Sequence, residues 1–357
     1  MRSMLYGALC ALMFSLLTTV VSSAEPAAPN PPDPYAVPEG STQDYVDFLI
    51  KLAKVKPAND AEVAKMREAL VEASGKIIAG NPDEKQLTLA VSAKAQALGD
   101  DLEKLADFAA ELKKVGHHRL ARNVRGFALG RKTQIVQITK DTIQDRATEL
   151  VDFLAEEKVE AGSDIQLAQL AGRMADLSGE PEFTAETYQR LERIFLASDD
   201  PRAVNYGKQL EGTVRRVSLV GKPMTLEGNV IGGGPIDLAS YKEKVVLVNF
   251  FATWCGPCRT EIENLKKLYE QYHDKGFEVV GVSCDSNKQL LDKFIEDKSL
   301  PWPVVYGENG PSPSIAYYGI SGIPQLILIG KDGNVISINA RGNALVEELK
   351  KQFDQAG

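Results

Sequence analysis

Near residue 217 the spacing of the apolar residues changes, and that change most constrains how the chain can fold. Before it, apolar residues recur at helical spacing. Tyr45, Phe48, Leu49 and Leu52 fall at i, i+3, i+4 and i+7. So do Leu105, Phe108, Ala109 and Leu112, and again Leu167, Leu170, Ala171 and Met174. Each set lies on one face of a helix. Stop and start signals interrupt the pattern at Asn81-Pro82-Asp83, Gly99-Asp100, Gly116, Ser163-Asp164 and Gly179-Glu180-Pro181. The spacing predicts an all-α domain over 41–216, with about eight or nine helices and no strand. The segment YVDFL at 45–49 returns as LVDFL at 150–154, and IAGNPDE at 78–84 is echoed by LASDDPR at 196–202. Helical-hairpin repeats would give such an echo, as would unrelated amphipathic helices.

From 217 onward short apolar runs alternate with helical ones. Val245–Phe251 (VVLVNFF) has the composition of a central strand buried on both faces. A helix is expected over 258–273, a second buried strand over Phe277–Ser283, and a helix over 288–297. A strand follows at 326–329, a turn at 331–334, a strand at 335–339 and a closing helix at 344–353. With a hairpin expected over 224–238, residues 217–357 read as an α/β domain of order β-α-β-α-β-β-α.

The N-terminus carries Arg2, an uncharged and mostly apolar run over 5–21, and the small residues Ser22-Ser23-Ala24. This pattern predicts a signal peptide over 1–24, with a retained N-terminal anchor as the alternative. Cys10 follows Gly7-Ala8-Leu9, a poor lipidation context. Residues 25–40 hold Pro26, Pro29, Pro31, Pro32, Pro34 and Pro38 and read as a stiff linker. The body is therefore expected on the far side of a membrane, in the periplasm, touching the bilayer only through an uncleaved N-terminus. The net charge is −8, and loss of the leader removes one Arg and no acid. An acidic chain without a basic run excludes nucleic acid as the expected partner.

Beyond Cys10 the cysteines are Cys255, Cys258 and Cys284, too few for a disulfide-stapled scaffold. Haem attachment needs His after C-x-x-C, where Arg259 stands. A zinc site needs more ligands than Cys284 and His273 supply, and His117-His118 point about 100° apart on a helix. A two-residue disulfide loop restrains the unfolded chain little. No metal or cofactor is expected. What remains is redox chemistry. A buried strand leads into the motif and a helix leaves it, placing Cys255 over free N–H groups that favour its thiolate. Cys258 lies one turn inside, so Cys255 attacks and Cys258 resolves. Pro257 suits the first helical turn. Gly322-Ile323-Pro324 before a strand is a candidate cis-proline element.

The pieces LVGKPMTL, LASYKEKVVLVNFFATWCGPCRTEIENL, FEVVGVSCD, YYGISGIPQLILIGKDGNVI and ARG before the last helix resemble the thioredoxin fold. The resemblance is nearest to exported thiol–disulfide oxidoreductases of the TlpA/ResA type, and covers 217–357 only. It implies a cis Pro324 packed against a Cys255–Cys258 disulfide. It also implies that Ile323 pairs by its backbone with an extended substrate segment, and that Trp254, Gly256 and Pro257 complete the contact surface. Two positions depart from the wider pattern. Asn249 stands where cytoplasmic thioredoxins carry a buried Asp, and Glu263 where the family often has a kink-forming Pro. Cys284 is read as a small buried residue at a strand end, with a third redox thiol as the sharper alternative.

The function expected is dithiol–disulfide exchange with protein clients, as a reductant supplied by a membrane electron donor, in the manner of cytochrome c maturation proteins. One alternative is a helical interaction protein with a docked thioredoxin-like module, its helices binding a partner or dimerising. A lesser one is a thiol peroxidase, which Asn249 and Ala252 disfavour because Pro and Thr or Ser are needed at those places.

Overall fold

The computed structural model describes residues 33–353 except 136 and 138, with the side chains of Lys140 and Asp141 also left aside. The leader over 1–24 and half of the Pro-rich stretch lie outside these residues. By contact the chain divides into two compact units, Met1–Gln137 and Ile138–Gly357.

The first unit is built from α1 (Thr42–Leu52), α2 (Asp60–Ala79), α3 (Glu84–Leu98), α4 (Leu102–Lys114) and α5 (His118–Ile135). Polar caps set their starts, because the first turn leaves N–H groups unpaired. Ser41 and Asp44 form a reciprocal capping box on α1, and Asp83 and Gln86 do so on α3. Asn59 caps α2 through the N–H of Glu62. Leu87, Val91, Leu105, Phe108, Leu112 and Val124 form one core of this unit. Tyr45, Leu49, Ala73 and Ile77 belong to a second.

The second unit opens with four more helices: α6 (Lys140–Ala155), α7 (Ser163–Ser178), α8 (Pro181–Leu196) and α9 (Pro201–Val217). Proline at the first position of α8 and α9 costs no hydrogen bond. The helical reading of 41–216 therefore holds for the described residues. The division at 216/217 follows the change in secondary structure, whereas packing groups α6–α9 with the sheet that follows.

That sheet has six strands: β1 (Asn229–Val230), β2 (Val245–Phe251), β3 (Phe277–Ser283), β4 (Val304–Tyr306), β5 (Gln325–Ile329) and β6 (Val335–Ser337). Their spatial order is β1-β4-β3-β2-β5-β6. β2 runs parallel to β3 and antiparallel to β5, so Asn249 lies between Gly281 and Leu326. Between the strands come α10 (Gly256–Tyr272), α11 (Lys288–Lys298), α12 (Ser314–Tyr317) and, last, α13 (Gly342–Phe353). Every residue of β2 and β3 is buried, as a strand covered on both faces requires. Val245, Leu247 and Phe251 pack with Cys258, Ile262 and Leu265 of α10 and Leu345 and Leu349 of α13. Val246, Val248 and Phe250 pack on the other face with Leu219, Met224 and Tyr318. This is the thioredoxin fold. Three elements, β1, β4 and α12, join the expected order. β4 extends the sheet beyond β3, and β1, part of the expected hairpin, pairs with β4 at the edge.

Candidate functional site

The site begins where β2 ends. After Phe251 the chain runs through Ala252, Thr253 and Trp254 to Cys255, which is the N-cap of α10. The sulfur of Cys255 accepts the Cys258 N–H at 3.2 Å. It therefore lies against free N–H groups at the positive end of the helix, which stabilise negative charge. Cys255 and Cys258 form a disulfide, with S–S 2.06 Å and Cα–Cα 5.2 Å. The two sulfurs are not equivalent: Cys255 is 6% exposed and Cys258 is 0% exposed.

The rim is open. Trp254 is 69% exposed, Gly256 and Pro257 are exposed, and a Cβ at Gly256 would meet nothing within 4 Å. Facing them, the Ile323–Pro324 peptide bond is cis, as the resemblance implies. The Ile323 carbonyl oxygen lies 3.8 Å from Cys255 Sγ. Pro324 is buried and Ile323 half-buried beside exposed Gly322. The structure thus brings Trp254, Cys255, Gly256, Pro257, Cys258, Ile323 and Pro324 to one place.

Asp285 was not anticipated. It is 3% exposed. Its carboxylate accepts the Thr253 N–H at 3.0 Å, the Thr253 hydroxyl at 2.6 Å and the Ser283 hydroxyl at 2.9 Å. Thr253 in turn accepts the Arg259 Nε–H on its carbonyl at 2.7 Å. The loop that presents Trp254 and Cys255 is tied down on both sides. The only sequence signal is an acidic residue two positions after a buried strand, which is also what a surface loop looks like.

Asn249 is 1% exposed, and neither polar atom of its amide has a partner among the described residues. By alternation it shares a face of β2 with Leu247 and Phe251, the face covered by Cys258 and α10. The helix itself is continuous from Gly256 to Tyr272, and Glu263 pairs with Lys298 at 2.9 Å. Cys284 is a half-buried free thiol that touches both cores. Burial, and then the charge of Asp285, push its pKa up to about 12. It is held as the thiol, the opposite of what an attacking cysteine needs.

Residues 220–338 match the AhpC/TSA family. The thiol-disulfide oxidoreductase ResA of Bacillus thuringiensis subsp. konkukian is 34% identical over 119 residues, which is 33% of this chain and 67% of that one. ResA of Oceanobacillus iheyensis is 35% identical over 103 residues, 29% of this chain and 53% of its own. Among solved structures, the thioredoxin domain of a thiol-disulfide oxidoreductase from Bacteroides vulgatus is 31% identical, with a TM-score of 0.32. That match covers 35% of this chain and 89% of the other. A thiol:disulfide interchange protein from Bacteroides sp. is 30% identical with a TM-score of 0.34, covering 38% and 89%. A C-x-x-C disulfide capping a helix at the end of a buried strand, with a cis-proline beside it, agrees with the name that the two ResA relatives carry. Through its C-terminal domain the chain belongs to the thioredoxin-like thiol–disulfide oxidoreductases of the TlpA/ResA type.

Proposed function

We propose that the protein works outside the cytoplasm as a reductant of protein disulfides, with Cys255 as nucleophile and Cys258 as resolving thiol. The Cys255 thiolate attacks one sulfur of a client disulfide, forming a mixed disulfide and releasing one client thiolate. Cys258 then loses its proton and attacks Cys255 Sγ. The second client thiolate leaves, and the Cys255–Cys258 disulfide re-forms. The client gains two electrons and, in water, two protons; the pair is oxidised. The observation that carries this reading is the position of Cys255 Sγ, 3.2 Å from the Cys258 N–H at a helix N-terminus and more exposed than its partner.

Trp254, Gly256, Pro257, Ile323 and Pro324 form the client-contact surface. The Ile323 backbone, beside the disulfide, suits pairing with an extended client segment. A reductant must be recharged, so a membrane electron donor belongs to the cycle, and cytochrome c maturation is the process the resemblance favours. Residues 1–24 act as the export signal or anchor, 25–40 as a tether, 41–216 as a helical region that engages partners, and 217–357 as the redox domain. The peroxidase alternative is not favoured, because Cys258 already stands in bonding distance of Cys255.

The deciding experiment is the reduction potential of the 255/258 pair, by equilibration with glutathione or dithiothreitol. A value at or below about −250 mV supports a reductant, and one near −120 mV makes the protein a disulfide donor. Absence of a reversible couple overturns the redox reading.

A further inference from the structure

A pocket of about 790 Å³ lies within the second unit, between α7, α8 and α9 on one side and residues 315–321 on the other. That volume is in the range of sites that hold a ligand. Its outer wall is pinned. Arg216 Nη1 donates to the carbonyls of Tyr318 and Gly319 at 2.9 and 2.7 Å, and Arg215 Nη1 donates to that of Tyr317 at 2.7 Å. The backbones nearly touch as well: a Cβ at Gly212 would stand 2.6 Å from the Gly319 nitrogen.

The charges of this pocket differ from those of the chain. The chain is acidic at −8, yet the pocket is lined by Arg173, Lys208, Arg215 and Arg216 against Asp176 and Glu211. Both carboxylates have partners. Asp176 accepts the Tyr188 hydroxyl at 3.0 Å, and Glu211 pairs with Arg215 at 3.5 Å. Arg173 and Lys208 are exposed and make no hydrogen bond or ion pair among the described residues. They are the charges left for a ligand.

The place of the pocket fixes the kind of ligand. Ser321 lines it, and Ser321 is two residues from Ile323, whose carbonyl lies against Cys255. Two residues span at most about 7 Å. A polypeptide lying along Ile323 with its disulfide at Cys255 would reach Ser321, which lines the pocket, within two or three residues. We propose that this pocket is a selectivity site that takes an acidic stretch of the client protein close to the disulfide to be reduced. The proposal rests on the reading of Cys255 and Cys258 as a pair that acts on protein disulfides.

The test uses the full chain, reduced, and two cystine peptides differing only in a flanking segment, Asp-Glu-Asp in one and Asn-Gln-Asn in the other. A small aromatic disulfide serves as the third substrate. The expected result is a kcat/KM about five- to tenfold higher for the acidic peptide, an advantage that shrinks with added salt. Arg173→Glu with Lys208→Glu abolishes or reverses the advantage, leaving the neutral peptide and the small disulfide unaffected. Equal kcat/KM for the two peptides overturns the proposal and leaves the redox reading intact, as does an advantage that survives the double substitution. Failure to reduce any of the three removes the redox reading and the proposal with it.

Discussion

Asp285 and Asn249 bury polar groups in opposite ways. Every hydrogen bond of Asp285 goes to the loop before Cys255 or to the strand before itself, so the cost of burying a carboxylate is offset by charge-assisted bonds. Asp285→Ala strands the Thr253 N–H and hydroxyl inside the protein, and should lower stability by about 3 kcal/mol. Urea unfolding of the oxidised protein measures this, and amide exchange at Thr253 should quicken in parallel. Unchanged stability would mean that the loop is held by something other than Asp285. Asn249 carries no such bonds, so nothing in its surroundings explains the amide by stability alone. At this scale the sequence was legible where chemistry depends on neighbours. The spacing of Cys255 and Cys258, the helix between them and the Gly-Ile-Pro at 322–324 are local signals. Asp285 was not legible because its partner Thr253 stands 32 residues away, and no periodicity links the two.

Elements follow the same rule. β2 and β3 are readable to the residue, because a short, mostly apolar run without alternation is most stable between two layers. β4 is three residues long, between Pro303 and Gly307, and becomes a strand only by pairing with β3 and β1. Its composition marks a loop as readily. The break between α1 and α2 is capped by Asn59, and Pro57-Ala58-Asn59-Asp60 carries that stop-and-start signal in the sequence. Glycines inside helices separate two meanings that sequence alone cannot. Gly75 in α2 has nothing within 4 Å of where a Cβ would stand, whereas Gly212 in α9 faces the Gly319 backbone at 2.6 Å. Gly75→Ala should therefore stabilise by about 0.5–1 kcal/mol, by removing unfolded-state freedom. Gly212→Val should destabilise by about 1–3 kcal/mol, because α9 must move off residues 316–319. Denaturant unfolding of both variants checks the pair, and shifts of equal sign would contradict the packing described.

The contact between Gly212 and Gly319 also explains a feature of the whole molecule. The segments of α6–α9 read as helix and so sort with the helices before them, yet they pack with the sheet. The contact joins positions over a hundred residues apart and depends on two missing side chains, which hydropathy patterns do not record. Around it are gathered half-buried phenols that stay protonated. Burial pushes the Tyr206 phenol up to about 12 and raises Tyr188, whose charge would also meet that of Asp176. Cys284, elsewhere in the same unit, is likewise pushed up to about 12. A phenol or thiol with a raised folded pKa binds its proton more tightly when folded than when unfolded. Between the unfolded pKa and the folded one the unfolded chain holds fewer protons, so stability falls as pH rises. The contribution is complete below about pH 9 and is lost progressively toward pH 12. Unfolding free energy should therefore decline steeply over that window. To keep thiol exchange out of the measurement, Cys284→Ala serves as the background, where the tyrosines carry the slope. Adding Tyr206→Phe, which removes the titrating hydroxyl and keeps the ring against Phe195 at 4.8 Å, should flatten the decline while leaving stability near pH 7 little changed. An equally steep decline in both proteins would place the alkaline sensitivity outside the α7–α9 packing.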